Sequence, residues 1–461
     1  MEGGLSMAVW NTISYSEIHP DRFDAEYHSK LFKENINLLE SLGNTVTIGQ
    51  LFKLIKRGDQ PQYDVNGTVK VLRSVNVGFM TFNDTRQEYV TVGFLNKSSK
   101  GQVRQDDILI TSTGVGTLGR TSIWNSNEDA YCDGHITILR NTEANPYFIT
   151  VFLNTEYGLL QFNQNYRGSS GQIEIYPYDL SKIVIPKFLF DYQDEIGNTL
   201  VEAFSLEKQS KCFYQQAEAI LAQELQLYKL KLPNKNWYTA DYCEVVNERR
   251  INAEFFSPDV YYILSQDFLK EGATINDVFE IIRGYTPKCY YQSGVPVVKT
   301  KNVRTPKIDN KRISDYANFQ EPLIQTKEND LILAAVGIGS LGRISYVTDD
   351  NANCAIDSTL RILRKKDLSL NDMEIPTMLF LSTEVGQKLI YRGISGTTGI
   401  ISLPDDYLER IPIPVLEESV RRNVTELVLN SIKAKNHSEQ LLAQAKHRVE
   451  ELIEQEANKH K

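Results

Sequence analysis

The stretch "GVGTLGR" at residues 114–120, directly behind "DDILITST", has the G-x-G-x-x-G spacing with which dinucleotide-binding enzymes hold a pyrophosphate. The chemistry would be phosphate capture by backbone amides at the start of a helix. The same stretch recurs as "GIGSLGR" at 337–343, behind "NDLILAAV". That chemistry needs a helix straight after the last glycine. Gly119 is succeeded by "RTSIWNSNEDAYCDGHITILR", and Gly342 by "RISYVTDDNANCAIDSTLRILR". Both read as a strand, an Asn/Asp-rich turn and another strand, and the Lys-Ser/Thr ending of a P-loop is absent too. No cofactor is predicted for this chain, and the glycines read as positive-φ residues of a strained turn. Arg120 and Arg343, just behind that turn, can either meet a phosphate or pair internally with Asp106 and Asp330.

Other reactive side chains are sparse. Cys132, Cys212, Cys243, Cys289 and Cys354 form no C-x-x-C and have no histidine at ligand spacing, so they read as free, mostly buried thiols with no metal site. His28 and His135 have no nucleophile or paired carboxylate beside them in sequence. Scanning finds no Asn/Asp-Pro-Pro-Tyr/Phe motif of an adenine methyltransferase, "SLPDDY" and "YPYD" being the nearest, and no convincing Asp…Glu-x-Lys of a nuclease. No catalytic residue is predicted.

Net charge is −9, which excludes a uniformly basic nucleic-acid binder, but the charge is uneven. Between Arg283 and Arg312 stand eight basic residues (Arg283, Lys288, Lys299, Lys301, Arg304, Lys307, Lys311 and Arg312) against Asp309 alone. Distant acids are screened beyond about 8 Å at physiological salt, so such a patch can still bind phosphate. The longest apolar runs, such as "MLFLSTEV", fall short of the ~20 residues of a membrane span. The N-terminus lacks a basic region followed by an apolar core, so a cytoplasmic protein with no membrane partner is expected.

The elements that would position these residues are duplicated. "RFDAEYHSK" at 22–30 answers "RINAEFFSP" at 250–258, and "VKVLRSVNV" at 69–77 answers "VPVVKTKNV" at 295–303. "DGHITILR" at 133–140 answers "DSTLRILR" at 357–364, and "FLNTEYG" at 152–158 answers "FLSTEVG" at 380–386. "YRGSSGQ" at 166–172 answers "YRGISGT" at 391–397, and "LSKIVIPKF" at 180–188 answers "LERIPIPVL" at 408–416. All offsets lie between 223 and 228, so a unit about 228 residues long is repeated.

Each unit starts with short apolar stretches broken by Gly, Asn, Asp and Pro, which read as strands. It ends in a long amphipathic helix. From Asp191 to about Leu230 apolar or small residues recur at Ile196, Leu200, Ala203, Tyr214, Ala217, Leu221, Leu225 and Tyr228. The C-terminal counterpart, from Glu417 to about Ala457, has Val420, Val424, Leu427, Leu442, Ala445, Val449 and Leu452 on one stripe. Its middle, "IKAKNHSEQ", is more polar and is expected to pack loosely. Neither helix can bury its seam alone, so the two should pair, with the globular parts at opposite ends and related by a pseudo-two-fold axis.

This layout resembles the specificity subunit of a type I restriction-modification system. The likeness is carried by "DDILITSTGVGTLGR" and "NDLILAAVGIGSLGR", then by "RGSSGQIEIYPYDLSKIVIP" and "RGISGTTGIISLPDDYLERIPIP", in order and twice over. It implies an α+β fold with two β-rich target recognition domains in tandem, their helices pairing as an antiparallel coiled-coil spacer. The expected boundaries are an N-terminal extension 1–19, a first recognition domain 20–188, a central helix 189–232, a linker 233–247, a second recognition domain 248–415 and a C-terminal helix 416–461. It also implies a subunit without catalysis or cofactor of its own. Its partners would be double-stranded DNA with a bipartite target, two modification subunits (adenine-N6 methyltransferases that bind S-adenosylmethionine) and, in some assemblies, restriction subunits. The alternatives are a tandem-domain scaffold for protein or peptide, and a stand-alone DNA-modifying enzyme.

The residues expected to touch DNA are polar and basic ones flanking the matched blocks. In the first unit they are Lys56, Arg57, Arg73, Asn76, Arg120, Arg167 and Gln172. In the second they are Arg283, Tyr285, Lys288, Lys299, Lys301, Asn302, Arg304, Arg343 and Arg392. Lys and Arg on phosphates would position the protein, while Asn, Gln and some Arg would reach base edges.

Overall fold

The computed structural model describes residues 12–168, 171–233, 237–366, 371–396 and 401–459. The chain divides into two units, one of residues 1–207 with 436–461 and one of residues 208–435. The fold is α+β, with short strands, short helices and two long helices, as the resemblance implies.

In the first unit the main sheet has four antiparallel strands. Its members are β1 (Leu54–Arg57), β3 (Ile108–Thr111), β4 (Thr121–Ile123) and β6 (Ile136–Arg140), in the order β1-β6-β3-β4. A second sheet pairs β2 (Val69–Leu72) in parallel with β5 (Ala130–Cys132) and adds the edge strands Glu88–Val90 and Gln102–Val103. Every residue of β3 is buried because both of its faces are covered. Ile108 and Ile110 join a core with Phe148, Phe152 and Phe162, while Leu109 faces Leu72, Val77, Trp124 and Ile138.

The first of those cores is helical, and helices there were not foreseen. After α1 (Lys30–Ser41), the block "FLNTEYG" forms the junction of α2 (Pro146–Leu153) and α3 (Glu156–Asn165). Thr155 caps α3 by accepting from the Gly158 amide at 3.2 Å, and its hydroxyl donates to the Phe152 carbonyl at 2.6 Å. A side chain at Gly158 would meet that carbonyl at 2.5 Å, so only glycine lets the helices approach this closely. The Thr-Glu pair is an N-cap signal that apolar runs had masked.

The second unit repeats this plan. Its main sheet has the order β7-β12-β9-β10, from β7 (Phe279–Arg283), β9 (Leu331–Ala334), β10 (Ile344–Tyr346) and β12 (Leu360–Lys365). β8 (Val295–Val298) runs parallel to β11 (Ala355–Ile356), and α4 (Glu374–Ser382) meets α5 (Glu384–Arg392) at Thr383, which caps the Gly386 amide at 3.1 Å.

Each unit also contains a helix pair. The central helix covers Gln193–Glu224 and the C-terminal helix Glu418–Lys459. In the first unit Ile196 and Leu200 join a core with Ala445, Val449, Leu452 and Ile453, and Arg448 pairs with Glu195 at 3.0 Å. In the second, Ala217, Leu221 and Leu225 join Val424, Val428 and Ile432. In the first unit Glu195 meets Arg448 and Ala203 meets Ser438, so residue numbers rise on one helix as they fall on the other and the pair is antiparallel. The polar middle of the C-terminal helix is packed, contrary to expectation. Ser438 donates to the Ala203 carbonyl at 2.7 Å in the first unit, and Ser431 meets Ser210 at 3.1 Å in the second. Small side chains there allow close approach, and their hydroxyls find partners. Tyr228, placed on the seam by periodicity, is exposed, because Gln226 takes a left-handed conformation and ends the helix.

Two further readings are corrected. Only Cys132 and Cys354 are buried, and the other three thiols are exposed. The repeat also starts earlier than Arg22, since "WNTISYSE" at 10–17 and "WYTADYCE" at 237–244 share Trp, Thr, Tyr and Glu at one spacing. Segments assigned to an extension and a linker are thus the start of the repeated unit. Tyr15 and Tyr242 are both exposed, and Trp10 lies outside the described residues.

A buried ion pair sits at the same place in each main sheet. Arg140 holds Asp107 through two bonds of 2.7 and 2.6 Å, and Arg364 holds Asp330 through two of 2.9 and 2.7 Å. Asp107→Ala should lower stability by about 3–5 kcal/mol, because it leaves the Arg140 guanidinium buried without its partner, and Asp330→Ala should cost less, because Arg364 is half-buried. Urea unfolding should show the loss, whereas Glu34→Ala, in an exposed pair with Lys30, should barely shift the midpoint.

Candidate nucleic-acid interface

The Asp–Arg pair fixes the strand that launches each glycine loop. β3 runs from the residue after Asp107 to Thr111, and the loop then uses Gly114, Gly116 and Gly119 at φ of 100°, 79° and 83°. Gly337, Gly339 and Gly342 take 112°, 73° and 83° in the second unit. Beyond Gly119 the chain enters β4, not a helix, so the context of a dinucleotide fingerprint is replaced by a hairpin. Leu118 N–H donates to the Gly114 carbonyl at 3.0 Å and Gly119 N–H to the Thr111 carbonyl at 2.9 Å. The corresponding bonds of Leu341 and Gly342 are both 2.9 Å. Arg120 donates to the Gly116 carbonyl at 2.7 Å, and Arg343 donates to the Gly339 carbonyl. Neither pairs with the acid proposed for it, since Asp106 accepts from the Tyr147 hydroxyl and Asp330 is held by Arg364.

In the first unit the loop gathers several expected residues. Gly114 N–H donates to the Ile173 carbonyl at 3.1 Å, and Thr113 bridges Glu174. Arg57 pairs with that carboxylate, donates to the Ile175 carbonyl at 2.8 Å and lies 5.0 Å over the Tyr176 ring. Burial works against the Glu174 carboxylate, yet hydrogen bonds from Arg57 and Tyr176 hold its pKa below the ordinary value. His135 Nδ1 is 2.8 Å from the Thr113 hydroxyl, and Arg120 lies 5.9 Å over the exposed Phe79 ring. Gln172 is exposed, two residues before Glu174, which bridges Arg167. Arg57, Arg120 and Gln172 therefore surround one loop, with Phe79, His135 and Tyr176 added as neighbours that spacing did not reveal.

The other expected residues lie elsewhere. Lys56 alternates to the opposite face from Arg57 and donates to the Ser99 carbonyl, and burial, then proximity to Arg140, lowers its pKa. Arg73 pairs with Glu88 at 3.8 Å, and Arg167 is held by Asp179 through bonds of 2.9 and 3.0 Å.

In the second unit Arg304 is brought to Arg343. Its backbone N–H donates to the Ser345 hydroxyl at 2.8 Å, and Thr305 donates to the Ile344 carbonyl at 2.7 Å. Burial, then repulsion from Arg343 and Arg312, lowers the Arg304 pKa. Lys299 and Lys301 share Asp315 at 3.4 and 3.2 Å, and Lys299 also sits 3.5 Å over the Tyr290 ring. Arg283 and Lys288 are exposed, while Tyr285 is half-buried with its N–H on the Ile356 carbonyl at 3.0 Å.

Three assignments change. Asn76 and Asn302 are fully buried. Each accepts from a backbone amide three residues back, Arg73 at 3.1 Å and Lys299 at 2.8 Å, and so closes a turn instead of reaching a base. Arg392 is the last residue of α5, packed 4.1 Å over the Phe255 ring with its Nε on the Phe255 carbonyl. The matching letters "YRG" are out of structural register, because Gly168 and Gly396, at φ of 107° and 113°, are the true counterparts.

No family model matches the chain, and no curated protein matches it. Among solved structures, the S subunit of a type I restriction-modification system from M. genitalium is similar at 12% identity, over 90% of this chain and 95% of that one, with a TM-score of 0.48. The HsdS subunit from Thermoanaerobacter tengcongensis is similar at 14% identity, over 90% and 96%, with a TM-score of 0.28. Identities this low leave function to be argued from the side chains.

Asn76→Ala and Asn302→Ala should each lower stability by about 1–3 kcal/mol through amides left unsatisfied in the turn. Thermal unfolding should register that loss, and the salt dependence of any DNA binding should stay as in the parent chain.

Proposed function

We propose that this chain is the non-catalytic specificity subunit of a type I restriction-modification complex. Each unit reads one half of a bipartite DNA target, and the long helices set the spacing and dock two adenine-N6 methyltransferase subunits. The observation that carries the reading is the doubled loop, one fold of backbone presenting a guanidinium beside it in each unit, Arg120 once and Arg343 once. Around that constant frame the neighbouring side chains differ, with Tyr176 and Gln172 in the first unit and Arg304 and Arg312 in the second. Shared backbone with divergent polar surface is what two readers of different half-sites require, since phosphate contacts position and base contacts specify. The acidic balance of the whole chain is compatible with this role, because partner subunits can supply further phosphate contacts.

A gel shift on duplexes carrying randomised bipartite sequence, with and without the methyltransferase subunits, tests the reading. Two short selected blocks at a fixed gap, recovered with the partners present, are expected. Sequence-blind or absent binding in their presence would refute it. On the selected duplex, Arg343→Gln should weaken binding to all sequences and lower the slope of log K against log salt by about 1.

A further inference from the structure

Between the first two glycines of each loop stands one aliphatic side chain, Val115 or Ile338, with relative exposures of 66% and 67%. A lone exposed aliphatic is ordinary. Here, however, the same position is exposed to the same degree in both units, at the apex of a loop whose backbone is tied down. Thr117 Oγ1 donates to the Thr113 carbonyl at 2.8 Å and Ser340 Oγ to the Val336 carbonyl at 3.3 Å. The loop is further tied to residues beyond α3 and α5 through Gly114 N–H and the Ile173 carbonyl at 3.1 Å, and through Gly337 N–H and the Ile401 carbonyl at 3.0 Å. Both side chains are β-branched and stiff at χ1, so each is a preformed apolar point.

We propose that Val115 and Ile338 are wedges that enter a base step, one in each half-site, and partly unstack it. The inference rests on the reading that both units bind duplex DNA. The apolar surfaces of a duplex are base faces and thymine methyls, and stacked base faces become reachable when a step opens. A methyl reader would serve a particular sequence and should vary between units as the surrounding side chains do. An element kept in both units, while its neighbours change from Phe79 and Tyr176 to Arg304 and Arg312, performs a task common to both half-sites. Aliphatic insertion between base steps is such a task. Arg120 and Arg343 donate to carbonyls at the same loop tips, Gly116 and Gly339, so a positive charge accompanies each wedge toward the phosphates.

The test uses the full chain with its methyltransferase partners and the duplex recovered by selection, with 2-aminopurine substituted in turn along each half-site. Binding should raise the fluorescence several-fold at one step in each half-site other than the adenine that the methyltransferases extrude, and that adenine is left out of the comparison. Val115→Ser should abolish the rise in one half-site only and Ile338→Ser in the other, with affinity falling on the order of tenfold. Val115→Leu and Ile338→Leu should restore both signals. Binding without any fluorescent step, or steps that persist in the serine variants, overturns the wedge while leaving the DNA-reading role intact. No duplex binding at all overturns both.

Discussion

The buried guanidinium–carboxylate pair in the main sheet is the constraint on which the loop geometry depends. Asp107 does more than neutralise Arg140. It also accepts the Arg104 amide at 2.7 Å, while Arg140 reaches the Gln102 carbonyl at 2.8 Å. One ion pair thus ties the turn before β3, the strand β6 beside it and an edge of the second sheet. Asp330 repeats this by accepting the Lys327 amide at 2.7 Å, with Arg364 on the Gln325 carbonyl at 3.3 Å. Burying two charges is unfavourable unless their remaining hydrogen-bonding groups are satisfied, and here several are. The result is a strand whose exit is fixed, so the glycine loop begins at a defined point.

An arginine about a dozen residues into each repeat, Arg22 or Arg250, acts in a similar way. Arg22 reaches the Gln164, Asn165 and Tyr166 carbonyls at 3.0–3.4 Å, and Arg250 reaches the Ile394 carbonyl at 3.2 Å. A cation at a helix C-terminus meets carbonyls that have no partner within the helix. The blocks "RFDAEY" and "RINAEF" therefore close α3 and α5, and beyond those helices Ile173 and Ile401 bond the glycine loops.

Much of this was legible in the sequence because duplication doubles every signal. The strands, the failed dinucleotide context and both long helices could be read from patterns that recur. The helices α2 and α4 were missed because they are buried on nearly all sides, which removes the polar stripe that marks a surface helix, and α3 and α5 because they run for only ten and nine residues. Their caps, Thr155 and Thr383, were the surviving clue. Asn76 and Asn302 misled for a different reason. An asparagine beside basic residues looks like a base reader, but in "RSVN" and "KTKN" its spacing closes a turn. Phe79, Tyr176 and His135 joined the loop only through contacts across the sheets, which no linear spacing encodes.

Comparing the units separates the constant frame from the side chains it carries. Where Arg57 faces Thr137 across β1 and β6, Arg283 faces Arg361 across β7 and β12. Arg361 cannot remain there uncompensated beside another guanidinium, and it is held by Asp405. Arg167 meets the buried Asp179 from a strand bridge, whereas Arg392 comes off a helix and acts on Tyr407, the counterpart of Asp179. The charged partners thus differ between the units, while β1 and β6 keep the same register as β7 and β12. A frame that tolerates such exchanges lets the surface beside each glycine loop diverge without loss of the fold. That tolerance is what a protein that reads two unlike half-sites with one architecture would need.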